Sequence, residues 1–252
     1  MHETGHQAAA LLGLVESIRP ELQAAWRGVA GAERAAWRLW ERWISEIVAD
    51  LYSIARVGVS STMGLIGLVS LPSAFVFRLT PDDPHPFAWI RVHLSCALGD
   101  ALYPDPQWRQ LAQVWSSFYP SGRQPPGRVR MIQALLATMP AFVRLVLGHR
   151  PAALRGRALG EVLRSGDRSP DRLVRLYRTW LADRSAIPRT RPALAFAVVG
   201  QARAAGLLTP EGEDRLLGQL ISHWALQSTL QANAQAAALA AAPYRPHPAI
   251  VR

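Results

Sequence analysis

Between Ala32 and Val57 the apolar residues Trp40, Trp43, Ile44, Ile47 and Leu51 fall at the spacing that gathers side chains onto one face of an α-helix. Polar residues such as Arg38, Glu41, Arg42 and Ser45 fall between them, so the pattern predicts a long amphipathic helix with this stripe buried. The same signature returns further along. Trp108, Leu111, Trp115 and Phe118 share a face of a helix over 107–118, opened by Asp105-Pro106. Leu173, Leu176, Tyr177, Trp180 and Leu181 do so after Ser169-Pro170. In both places a capping residue precedes a proline at the first helical position, where a missing N–H breaks no bond. Met131 to Leu147 predicts an apolar helix bent at Pro140. Thr209-Pro210 opens another helix, preceded by the apolar stretch 192–205. No segment alternates with period two and nothing repeats at a fixed interval, so the expected fold class is all-α or nearly so.

One apolar run asks a different question. Residues 57–77 carry no charge, are bounded by Arg56 and Arg78, and are long enough to cross a bilayer. Ser60, Ser61, Thr62, Gly64, Gly67, Ser70 and Pro72 dilute and interrupt them. The expectation is a buried helix followed by a connector, with membrane association through 57–77 as the alternative. Pro120 to Arg128 is the clearest linker. It divides the chain into 1–119, a linker at 120–128, a helical C-terminal region over 129–242, and a flexible tail over 243–252.

Composition changes this picture little. The formal net charge is +10, and the chain has no lysine, so all 28 basic residues are arginine. No basic run, RNA-binding motif or zinc-finger spacing accompanies the charge, so nucleic acid is not the expected partner. The single cysteine, Cys96, excludes an internal disulfide framework and fits a reducing compartment. It lies at helix spacing among apolar residues and reads as a small core side chain. His93, three residues earlier on the same helix, is poorly placed to activate it. The first residues lack the basic-then-apolar order of a secretory leader, and the expected location is the cytoplasm.

The candidate chemistry begins at the first residues. His2-Glu3-Thr4-Gly5-His6 is an H-E-x-x-H motif: on a helix the two imidazoles share a face and can ligate one metal ion. Glu3 beside them could take a proton from water at the metal. Sites of this type take a third ligand from a second helix. Glu46 and Asp50, one turn apart beside the tryptophan stripe, are the candidates, because carboxylates on a buried flank are costly unless paired or metal-bound. Glu46 would bind the ion and Asp50 would accept the remaining ring N–H of a ligand histidine.

H-E-x-x-H followed by Glu46-Ile47-Val48-Ala49-Asp50 resembles the gluzincin metallopeptidases. The likeness is closer to the CAAX prenyl protease and HtpX-type peptidases, which also carry a His-Pro with an arginine six residues after the histidine. His85-Pro86 and Arg91 match that third element in spacing and order. The resemblance covers about Met1 to Val92. It implies a Zn²⁺ ion held by His2, His6 and Glu46, with Glu3 as general base acting on a peptide or protein substrate. It also implies that His85 supports the tetrahedral oxyanion and that Arg91 organises the site. Zincins place a substrate-binding sheet before the motif helix, so the expectation is the helical half of a zincin-like domain, N-terminally incomplete, followed by a helical C-terminal region. The other readings are a catalytically inactive all-α binding or regulatory relative, and a basic nucleic-acid-associated helical protein.

Overall fold

The computed structural model describes residues 1–80 and 82–241, with side chains as far as residue 235. The tail expected over 243–252 lies outside the described residues. Thirteen α-helices and no strand occur among the described residues, which makes the fold all-α.

Two clusters of buried side chains organise these helices. The larger runs from Ala9 to Leu163. It is built from α1 (His2–Leu11), α2 (Leu14–Arg27), α3 (Gly31–Arg42), α4 (Ile44–Val57), α5 (Val59–Val69), α6 (Ser73–Val76), α7 (Ala88–Leu102), α8 (Pro106–Phe118), α9 (Pro126–Gly148) and α10 (Leu159–Leu163). The smaller runs from Leu173 to Leu220 and joins α11 (Pro170–Ala182), α12 (Pro192–Ala204) and α13 (Pro210–Ala241).

The predicted helix over 32–57 is present as α3 and α4, which meet at Trp43. Backbone hydrogen bonds cross that junction, from Trp43 N–H to Leu39 O and from Ile47 N–H to Trp43 O, both at 3.0 Å. The stripe Trp40, Trp43, Ile44, Ile47 and Leu51 is fully buried. Trp40 stacks on Phe142 of α9 with ring centroids 4.8 Å apart, and its indole N–H donates to Thr138 Oγ1 at 2.9 Å. A buried indole therefore keeps its hydrogen bond while its rings fill the core. Gly58, with φ 59, ends α4 in a conformation that costs other residues strain.

The segment expected as a linker at 120–128 is a short turn feeding directly into α9. Pro126 occupies the first position of α9, and Ile132, Leu135, Met139 and Phe142 of that helix sit in the larger cluster. The clusters divide later, between Leu163 and Leu173. They meet through a polar seam in which Ser60 Oγ donates to Phe196 O at 2.8 Å and Gln201 Nε2 donates to Gln107 Oε1 at 2.8 Å.

The run 57–77 is broken into α5, a turn at Ser70–Pro72, and α6. Leu68, Leu71 and Phe75 there are exposed. Among the described residues α9 alone is long and apolar enough to cross a bilayer by length and composition, and one side of it is packed into the core.

A candidate metal centre on helices α1 and α4

Helix α1 carries two of the site's histidines and α4 its two carboxylates. What lets them meet is Gly5. Its backbone lies so close to α4 that a Cβ there would stand 2.7 Å from Ala49 Cα and 2.8 Å from Ala49 O. With no side chain on Gly5, α1 lies close enough for His2 and His6 to reach Glu46 and Asp50, which stand one turn apart on α4.

The donor atoms converge closely. His2 Nε2 lies 3.1 Å from His6 Nε2 and 3.2 Å from Glu46 Oε2, and His6 Nε2 is 3.3 Å from Glu46 Oε1. His2 Nδ1 meets Asp50 Oδ1 at 2.8 Å. An ionised carboxylate can only accept, so His2 carries its proton on Nδ1 and turns Nε2 toward Glu46 and His6. His6 Nδ1 faces Ser45 Oγ at 3.5 Å, which leaves its Nε2 for the same centre. Two ring nitrogens and a carboxylate pointed at one another repel unless a proton or a cation lies among them. The group His2, His6 and Glu46 could hold a metal ion.

Arg91, from α7, closes the back of the site. Its Nε and Nη2 donate to Asp50 Oδ2 at 2.7 Å and Oδ1 at 2.9 Å, a bidentate pair. Burial works to raise the Asp50 carboxyl, but the hydrogen bonds from His2 and Arg91 outweigh it and hold it below the usual carboxylate range. The Asp50 hydrogen bond raises His2 above an ordinary histidine, against the opposing effect of its own burial.

His85 comes in from the loop before α7. Its Nε2 is 3.3 Å from Glu46 Oε2, and Asp83 Oδ1 accepts from both its backbone N–H at 2.9 Å and its Nδ1 at 2.8 Å. Half of the His85 side chain is exposed, so it lies on the open side of the cluster. Glu3 is exposed and makes no hydrogen bond or ion pair among the described residues. It sits on α1 about 60° around the helix from His6 at 100° per residue. His2, His6, Glu46, Asp50, His85 and Arg91 thus gather at one place, whereas Glu3 makes no polar contact with any of them among the described residues.

Three contributors lay outside the sequence reading. Asp83 fixes His85, and the Asp-x-His spacing of a side-chain-capped turn was its one signal. Ser45 and the crossing of Gly5 with Ala49 left none, since both depend on which helices touch. The chain matches no protein-family model, no curated protein and no solved structure.

Proposed function

We propose that the protein is a zinc-dependent metallopeptidase centred on His2, His6 and Glu46. The observation that carries this reading is the spacing of the three donors. Ligands about 2.0–2.1 Å from a tetrahedral Zn²⁺ stand roughly 3.3–3.4 Å apart. The nearest separations here are 3.1, 3.2 and 3.3 Å. Imidazole and carboxylate are donors that Zn²⁺ accepts, and Asp50 sets the ring of one ligand from behind.

When bound, the ion would polarise the scissile carbonyl and acidify the attacking water. Glu3, exposed on α1 next to His2, would take the proton from that water and deliver it to the leaving amine. His85, held by Asp83 on the exposed side, donates toward the negative charge that develops on the carbonyl oxygen. Arg91 keeps Asp50 ionised, and Asp50 keeps the His2 proton on Nδ1.

Metal analysis of the purified protein tests the site, with about one zinc per chain expected and its loss in His6→Ala. A metal-free protein whose melting temperature ignores chelators sinks the proposal. Peptidase action is tested on an unstructured protein substrate, where Glu3→Gln should keep the zinc and abolish cleavage. A second reading is a metal-bearing helical binding protein. What favours it is that no strand lies among the described residues to bind an extended peptide. A zinc-loaded wild type that cleaves nothing supports that reading.

A further inference from the structure

Helix α2 and the end of α9 bring a serine, a histidine and a glutamate into one hydrogen-bonded series. Ser17 Oγ lies 2.8 Å from His149 Nε2, and His149 Nδ1 lies 2.6 Å from Glu21 Oε1. Since the carboxylate accepts, the ring proton sits on Nδ1 and Nε2 faces the Ser17 hydroxyl as the nearer of two acceptors, the other being Leu14 O at 3.1 Å. This is the order of roles in a serine nucleophile with its base and orienting acid. Ser17 and Glu21 are one turn apart on α2 and so share a face.

The histidine is rigidly placed. It is 5% exposed, its N–H donates to Leu145 O at 2.9 Å, and its carbonyl accepts from Leu159 N–H at 2.8 Å. Ser17 is partly buried, in contrast to the enclosed His149. It also stands at the first closed turn of α2, where its N–H bonds Gly13 O at 3.1 Å. The amides of Leu14, Val15 and Glu16 just before it belong to the turn that has no intrahelical acceptor. The positive end of α2 therefore lies one turn before the Ser17 backbone.

We propose that Ser17 is an activated nucleophile, with His149 as its general base and Glu21 as a positioning residue, that takes the acyl group of small carboxylic esters. Ser17 Oγ attacks the ester carbonyl and its proton passes to His149 Nε2. The bond from the carbonyl carbon to the alkoxy oxygen breaks, and His149 returns the proton to the departing alcohol. Water then adds to the acyl-serine with His149 again as base, releasing the carboxylic acid and restoring Ser17. No metal enters, so this activity is separate from the α1–α4 cluster.

The test is covalent labelling by a fluorophosphonate, in which the phosphorus bond to Ser17 Oγ replaces the bond to fluorine. Peptide mapping should place the label on Ser17, and Ser17→Ala should abolish it. His149→Gln should slow labelling on the order of 10²-fold or more. Glu21→Gln should slow it less, with Glu21→Asp restoring part of the rate. Chelator should leave the labelling unchanged. A second measurement covers loss of folding in the His149 variant. Iodoacetamide should alkylate Ser17→Cys at neutral pH, faster than in Ser17→Cys/His149→Gln, while burial, which pushes the Cys96 thiol up to about 12, keeps the natural cysteine silent. No labelling of the wild type above Ser17→Ala, or equal alkylation rates in the two cysteine variants, overturns the proposal and leaves the three residues as a staple between α2 and α9.

Discussion

His2 and His93 are both partly buried histidines on helices that pack against α4, and their surroundings drive them in opposite directions. His2 faces the Asp50 carboxylate at 2.8 Å, and that hydrogen bond raises its pKa although burial opposes it. His93, on α7, faces no anion. It lies against the Trp89 ring, with centroids 4.1 Å apart, and its Nε2 meets the Ser116 hydroxyl at 3.1 Å. Burial pushes it down to about 4. The comparison separates two effects that sequence composition merges. Burial alone turns a histidine into a neutral, quiet side chain, as it does the Cys96 thiol on the same helix. A fixed carboxylate makes the ring a seat for a proton or a cation. The His93–Cys96 stretch is therefore inert, whereas the α1–α4 face holds unresolved polarity that a metal ion would satisfy.

Removing that carboxylate charge should break the comparison most strongly. Asp50→Asn keeps the shape but takes the counter-charge from Arg91, whose side chain is 14% exposed and whose other acid, Glu46, lies at 3.7 Å. Breaking a buried pair from one side costs about 3–5 kcal/mol, and losing the support behind a ligand histidine costs about 10–100-fold in metal affinity. Urea unfolding and zinc titration measure the two losses. A change in stability below about 1 kcal/mol would show that the Asp50–Arg91 pair is solvent-screened and does not organise the site.

The opposite member of the comparison is tested with acid. The unfolded chain protonates His93 near pH 6.5, whereas the folded protein resists until about 4. The unfolded state therefore binds more protons in that window, and stability falls as pH drops from 6.5 to 4, with no further contribution below. The size is about 3 kcal/mol at 1.36 kcal/mol per pKa unit. His93→Gln should flatten that part of the stability curve. Ser116 and Arg109 of α8 face the same hollow and are unchanged by the substitution. An unchanged slope would mean that His93 is already accessible to protons in the native protein. His2 has the reverse sign: its pairing contributes fully below pH 6.5 and is lost as pH rises through its raised value.

The helical periodicity that exposed the tryptophan stripe also located the carboxylates, because a buried stripe fixes which flank Glu46 and Asp50 occupy. The stripe failed at helix ends. Phe118 and Leu181 continue the apolar faces of α8 and α11, yet they are 73% and 58% exposed. Each sits in the last turn, where the chain leaves the surface it was packing on. At the end of α8 it is Tyr119 that turns in, its ring 4.4 Å from Trp115. The buried clusters divide at a different place from the linker composition for a related reason. Pro120 to Arg128 has the composition of a linker, but Pro125 and Pro126 are helix-start signals as much as breaks, and the apolar face behind them belongs to the first core. Ser45 and the Ser17–His149 contact depend on long-range packing that no spacing rule encodes.

Gly5 poses the smallest and sharpest test, since in sequence it is only a variable position of H-E-x-x-H. In an exposed helix interior Gly→Ala stabilises, by about 1 kcal/mol from helix propensity. Here the new Cβ would meet Ala49 Cα at 2.7 Å, Ala49 O at 2.8 Å and Tyr52 Cβ at 3.1 Å. The two nearest atoms are backbone, so no rotamer change relieves the clash and α1 must lift from α4. Overpacking of this kind costs about 1–3 kcal/mol, which leaves a net destabilisation of up to about 2 kcal/mol after the propensity gain. Lifting α1 also separates His2 and His6 from Glu46, so metal affinity should fall in the same variant, while the His93 acid slope, which arises at α7 and α8, should stay as it was. A stabilised Gly5→Ala that keeps its metal would mean that α1 can move without disturbing the donors, and the close crossing would then not be what assembles them.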